Sequence, residues 1–111
     1  MSVIDNMVQH FSNKDIREVV IEEWGDGENP LIIFVTPFTL AEQKKLYSMA
    51  KDDNMEMLAY TLILKAKDQN GEPMFTMGDK ATLMNNVDPF VLSRVVSEIT
   101  DSNSVEDHLG N

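Results

Sequence analysis

The sequence predicts a helix-dominant α+β fold, with an N-terminal β-hairpin followed by a small bundle of about four helices. Three observations carry this. Two runs rich in β-branched residues, Arg17 to Glu23 and Leu31 to Thr36, flank a loop that holds two glycines and a proline. Apolar residues then recur at helical spacing without a gap from Met55 to Lys67, and a second apolar stripe follows Asp88-Pro89. A chain of 111 residues can bury one core and has too little length for two.

Residues 1–16 form a separate N-terminal segment, in which the spacing of Ile4, Met7, Val8 and Phe11 predicts a short amphipathic helix. A single α+β domain is expected over 17–100. Within it, Trp24-Gly25-Asp26-Gly27-Glu28-Asn29-Pro30 supplies the unusual backbone angles of a hairpin loop longer than two residues. Trp24 beside this turn is read as packed onto its own domain, the alternative being an interface anchor.

Pro37 ends the second strand, and Thr39-Leu40-Ala41-Glu42 is a capping box that starts a helix near Leu40. Leu46, Tyr47, Met49 and Ala50 give that helix an apolar side, until Asp52-Asp53-Asn54 ends it and caps the next. The following helix places Met55, Leu58, Ala59, Leu62, Ile63 and Ala66 on one face and carries Met57, Tyr60 and Leu64 besides. A helix apolar almost all round is either central in its domain or offers a second apolar face to a partner.

Asp68 to Pro73 is a turn cluster around Asn70-Gly71, with a short strand expected over Met74–Met77. Asp79 is expected to N-cap a helix from Lys80 to Val87, and Asp88-Pro89 to open the last helix. There Val91, Leu92, Val95, Val96 and Ile99 form a stripe that stops at Thr100. An acidic, disordered tail is expected over 101–111.

Charge narrows the function. Nineteen acidic against nine basic residues give a net charge of −10, which disfavours a phosphate backbone as ligand. The close pairs Lys44–Lys45 and Lys65/Lys67 are read as solvated helix faces. Absence of cysteine removes thiol chemistry, disulfides and Cys-based metal sites, and agrees with a reducing compartment. The N-terminus lacks a signal-peptide pattern and no stretch approaches the roughly 20 apolar residues of a membrane span, so neither is expected.

No catalytic, cofactor-binding or metal-ligating residue stands out. His10 and His108 are the only near-neutral proton carriers, and both lie in terminal segments. The acidic clusters lack the alternating spacing of a calcium loop and are better explained as caps and solvated loops. Methionine is the skewed component, at eight residues: Met49, Met55, Met57, Met74, Met77 and Met84 fall in or beside the expected helical core. They are either core gap-fillers or an adaptable apolar surface for partners. The candidate partner-binding residues are Met55, Met57, Tyr60 and Leu64.

The order of signals adds a resemblance. Glu22-Glu23-Trp24-Gly25 closing a first strand, a second strand, and Thr36-Pro37-Phe38-Thr39-Leu40-Ala41-Glu42 opening a helix are similar to the front half of phage tail assembly chaperones. Asp68 to Phe75, then Asp79, then a helix running through Val91 to Ile99, resemble their second half. The resemblance spans about residues 17–100 and rests on order more than on any one motif.

It implies a non-enzymatic, cofactor-free protein of the bacterial host cytoplasm, absent from the mature virion. Its partner would be the tape measure protein, kept soluble until the tail tube polymerises around it. A longer frameshifted form recruiting the tube protein is a further implication; separately, self-association into a dimer or ring is expected because unpartnered apolar faces tend to find each other. The competing readings are an acidic DNA mimic or regulatory inhibitor, and a minor structural tail component.

Overall fold

A computed structural model describes the backbone over residues 2–109 and the side chains over 2–100. The element order is α1 (Val3–Ser12), β1 (Arg17–Ile21), β2 (Leu31–Val35), α2 (Leu40–Ala50), α3 (Asn54–Lys65), α4 (Lys80–Asn85) and α5 (Pro89–Leu109). The architecture is α+β and helix-dominant, and four helices follow the hairpin, as the sequence predicts.

β1 and β2 pair antiparallel, with Arg17 opposite Val35 and Ile21 opposite Leu31. Alternation decides which face is inside: Val19, Ile21, Ile33 and Val35 are buried, while Val20 and Ile32 lie on the outer face. The connecting loop holds a 3-10 turn at Glu22–Trp24 and is tied by the Asp26 carboxylate, which accepts from the Asn29 N–H at 2.9 Å. Gly25 is required there, since a Cβ would stand 2.1 Å from the Asn29 carbonyl oxygen. Trp24 is half-buried against the core, on its own domain.

Local signals place the helix starts. Thr39 Oγ1 accepts from the Glu42 N–H at 3.1 Å, and Glu42 Oε1 accepts from the Thr39 N–H at 3.0 Å, closing the capping box of α2. Lys51 and Asp52 take positive φ, and Asp53 caps α3 by accepting from the Met55 and Glu56 N–H groups. Pro89 is the first residue of α5, and the Asp88 carboxylate accepts from the Phe90 N–H at 2.9 Å.

Other signals are resolved differently. Asn70-Gly71 sits in a wider loop rather than a two-residue turn, because the Asp68 carboxylate accepts from the Asn70 and Glu72 N–H groups and organises the bend. The strand expected over Met74–Met77 reduces to a bridge between Lys67 and Pro73, itself beside a bridge from Phe34 to Lys67. Asp79 does not cap α4 with its side chain. Its carboxylate instead accepts from the Thr76 N–H at 2.8 Å, closing a 3-10 turn over Met77–Asp79. α4 ends at Asn85, short of the expected Val87.

The core is one cluster, built from the inner hairpin face, Leu46 and Ala50 of α2, Leu83 of α4 and Leu92, Val95, Val96 and Ile99 of α5, around Ala59, Tyr60, Leu62 and Ile63 of α3. α3 packs against α2, α4 and α5 and is therefore the central helix. Two arginines fasten α5 to the hairpin. Arg94 holds Glu23 through two hydrogen bonds of 2.7 and 2.8 Å, and Arg17 donates to the Glu98 carbonyl oxygen at 3.0 Å. The α5 backbone stays helical to Leu109, past the Thr100 at which the apolar stripe ends.

α1 forms as predicted, with Ser2 Oγ accepting from the Asp5 N–H. Every residue of α1 is exposed. No helix among the described residues is long and apolar enough to cross a membrane.

Candidate partner-binding surface

The four candidate residues of α3 do not form one open face. Met55, in the first turn, is 64% exposed. Tyr60 is 7% exposed and belongs to the core, with the Lys80 ammonium 4.8 Å from its ring centroid. Met57 and Leu64 are half-buried and pack against the core cluster. The all-round apolar character of α3 is thus mostly central packing, and the partly open residues are the ones to consider for contact.

Met57 and Leu64 open onto two different clefts, one on each flank of α2. Met57 lines a cleft of about 350 Å3 with Phe38, Leu46, Tyr47 and Thr61. Leu64 lines a second, of about 380 Å3, with Met49, Ile63, Phe75, Met77, Pro73, Lys45 and Lys67; Met77 is 53% exposed. Helical spacing on α2 produces the division: Gln43, Leu46 and Tyr47 face the first cleft, Lys45 and Met49 the second. Tyr47, expected on the apolar side, is 68% exposed and forms a wall rather than core.

The region between β2 and α2 is held by a residue that sequence reading places in solvent. Lys65 is fully buried, not on a solvated face with Lys67. Its ammonium donates to Glu42 Oε1 at 3.0 Å, Thr36 Oγ1 at 3.1 Å and the Pro37 carbonyl oxygen at 3.3 Å, and lies 4.5 Å from the Phe38 ring centroid. Burial pushes the Glu42 carboxyl up, but the Thr39 N–H and the Lys65 ammonium outweigh it and hold the group below its ordinary value. The cue in the sequence was that Lys65 is the only charged residue in the run from Met57 to Ala66.

Other charges brace the scaffold around the clefts. Lys80 pairs with Glu56, and its hydrogen bonds to Glu56 and Tyr60 raise its pKa. The hydrogen bond from Arg94 holds the Glu23 carboxyl down to about 2. Lys45 and Lys67 differ: neither forms an ion pair among the described residues, and the Lys67 ammonium donates only to the Leu64 carbonyl oxygen at 3.5 Å.

The described residues include no group of three or more His, Asp or Glu side chains placed to hold a metal ion. The geometry offers apolar, rigidly backed clefts on either side of one helix, which suits docking of apolar side chains.

No protein-family model matches the sequence, and no curated protein matches it significantly. The structure does find a likeness, over 87% of this chain and 93% of the other, at a TM-score of 0.55 and 15% sequence identity. The chain shares its fold with the tail assembly chaperone of bacteriophage HK97. At so low an identity the likeness is one of fold.

Proposed function

We propose that this chain is a phage tail assembly chaperone that binds apolar helical segments of the tape measure protein and keeps them soluble before the tail tube polymerises. The observation that carries the reading is the likeness of fold to the HK97 tail assembly chaperone over nearly the whole of both chains. The two clefts beside α2 support it, because a tolerant binder of amphipathic partners needs apolar surface on a stable frame. A net charge of −10 keeps such a complex soluble.

In this reading the role is binding without catalysis, in the host cytoplasm, and the protein is left out of the finished particle. Met57 and Leu64 contact the partner from the cleft floors, with Tyr60 behind them as core and Met55 at the edge. A frameshifted longer form would add recruitment of the tube protein.

The test is co-expression with the large helix-rich protein encoded downstream, followed by capture at low and at high salt. Apolar docking predicts capture that survives high salt, with a negative heat-capacity change on binding. Capture of a basic host protein only at low salt, with none of the tape measure protein, would overturn the reading in favour of an acidic inhibitor.

A further inference from the structure

The cations of this acidic chain are unevenly used. Lys65, Lys80 and Arg94 each pair with a carboxylate, and Arg17 donates to the Glu98 carbonyl oxygen. Lys44, Lys45, Lys51 and Lys67 form no ion pair among the described residues. Lys44 and Lys45 are exposed on α2, Lys51 is its C-cap residue, and Lys45 and Lys67 line the cleft onto which Leu64 opens. A body with a net charge of −10 thus carries a patch of unopposed positive charge, and that patch borders apolar surface.

The acids nearest to it in the chain are engaged. Glu42, the only acid within α2, is held by Lys65 and the Thr39 N–H. Asp68, beside Lys67, accepts from the Asn70 and Glu72 N–H groups, and Asp79, in the same 3-10 turn as Met77, accepts from the Thr76 N–H. Among the described residues, no acid lines the cleft itself. We propose that this cleft takes an amphipathic helix whose apolar stripe is flanked by Glu or Asp. The stripe meets Met49, Leu64, Phe75 and Met77, and the acids meet Lys45 and Lys67. The inference rests on the proposed function and names the kind of partner segment that this cleft selects.

A helix fits better than an extended segment. An added strand binds chiefly through backbone hydrogen bonds to a sheet edge. This cleft is walled by α2, whose backbone groups bond within the helix, so recognition falls to side chains. Lys45 and Met49 stand four residues apart and set a cation in line with an apolar side chain, at the period with which a second helix repeats its own acidic and apolar positions. The Met57 cleft on the other flank of α2 has no charged residue in its lining among the described residues, so the preference for acids belongs to the Leu64 side.

Net charge alone predicts the opposite preference, since −10 attracts a basic ligand. At physiological salt, charges more than about 8 Å away are largely screened, whereas Lys45 and Lys67 act in contact with the bound segment. Exposed pairs of this kind add little affinity. They decide which segment is accepted, while the apolar contacts hold it.

Two peptides of about 18 residues, sharing one Leu stripe at helical spacing and flanked by Glu in one and Lys in the other, test this by fluorescence anisotropy with the full chain. At about 0.15 M salt the Glu-flanked peptide should bind about threefold tighter or more, as two exposed pairs allow. Lys45→Glu/Lys67→Glu should invert the order, and Lys45→Glu alone, at an exposed position, should reduce the preference about twofold. Asn6→Glu/Gln9→Glu in α1 makes the same change in net charge as Lys45→Glu away from the cleft, and should leave the preference as it is. Tighter binding of the Lys-flanked peptide, equal binding of the two, binding of neither, or a preference unchanged in Lys45→Glu would each overturn the proposal. So would a Lys45-dependent association of the chain with itself or with an oligonucleotide in place of the peptide, by assigning these cations to another occupant. Equal binding would still leave apolar docking intact, and the proposed function stands or falls separately, on capture of the tape measure protein.

Discussion

Lys65 Nζ lies 3.0 Å from Glu42 Oε1, and that contact ties the last residue of α3 to the first turn of α2. The same carboxylate closes the α2 capping box, and the same ammonium reaches Thr36 and the Pro37 carbonyl. The two residues thus fix the angle at which the chain leaves β2 and enters α2, the helix that separates the two apolar clefts. The arrangement costs desolvation of a lysine and is offset only because its neighbours supply acceptors.

Glu42→Ala should therefore be more damaging than Lys65→Met. The first leaves a buried ammonium short of its carboxylate and opens the capping box, a loss of about 2–4 kcal/mol allowing for the partial exposure of Glu42. The second places an apolar chain of similar length in the same space and leaves Glu42 its Thr39 N–H, for a cost of about 1–2 kcal/mol. Urea denaturation of the two variants gives the order, and an inverted order would show that the pair does not organise the junction.

This pair also shows how far the sequence was legible. Signals that act within a few residues were: the Thr39/Glu42 box, the Asp53 cap, Asp88-Pro89 and the two β-branched runs of the hairpin all give the structure observed. Asp79 misled because Thr76, three residues earlier, competes for the same carboxylate. The burial of Lys65 depends on groups 23 to 29 residues away: its place as the one cation in an uncharged helical run is a local cue, but the partners that satisfy it are not local. The same holds for Tyr60, whose face of α3 is covered through packing with other helices. α1 was legible as an amphipathic helix, but whether its stripe would be covered was a matter of tertiary packing.

Acid should weaken the hold of α5 on the hairpin. Glu23 has its carboxyl lowered from 4.5 to about 2, chiefly by the hydrogen bond from Arg94. A depressed folded-state pKa means the contribution is complete above the ordinary value and is lost as pH falls from about 4.5 towards 2. Glu42, also lowered, acts in the same direction. Melting temperature followed against pH should fall in that window for the wild type and fall less steeply for Glu23→Gln. Identical slopes would show that the Arg94 contact contributes nothing in solution.

The hairpin loop gives a contrast between two glycines. At Gly25 an added Cβ meets the Asn29 backbone oxygen at 2.1 Å, so the loop must shift, and Gly25→Ala should cost about 2 kcal/mol or more. At Gly27 the space is open and only its φ of +100° opposes a side chain, so Gly27→Asn should cost about 1 kcal/mol or less. Thermal unfolding of the two variants separates steric closure from backbone preference, and equal losses would contradict the tight approach at Gly25.

The division of α3 into core and cleft floor sets the last expectation. Tyr60→Ala removes a buried ring from the centre of the cluster and should cost about 3–5 kcal/mol, lowering stability whether or not a partner is present. Met55→Glu, at an exposed first-turn position, should change stability by no more than about 0.5 kcal/mol. Met57→Ala and Leu64→Ala lie between, because each half-buried side chain contributes to packing and to a cleft. If the clefts receive an apolar partner, these two should lose more affinity for the co-expressed tape measure protein than their own unfolding free energies account for. Calorimetric binding at a temperature where both variants remain folded separates the two effects. A loss of affinity at Met55 alone would move the contact to the exposed end of α3 and away from the clefts.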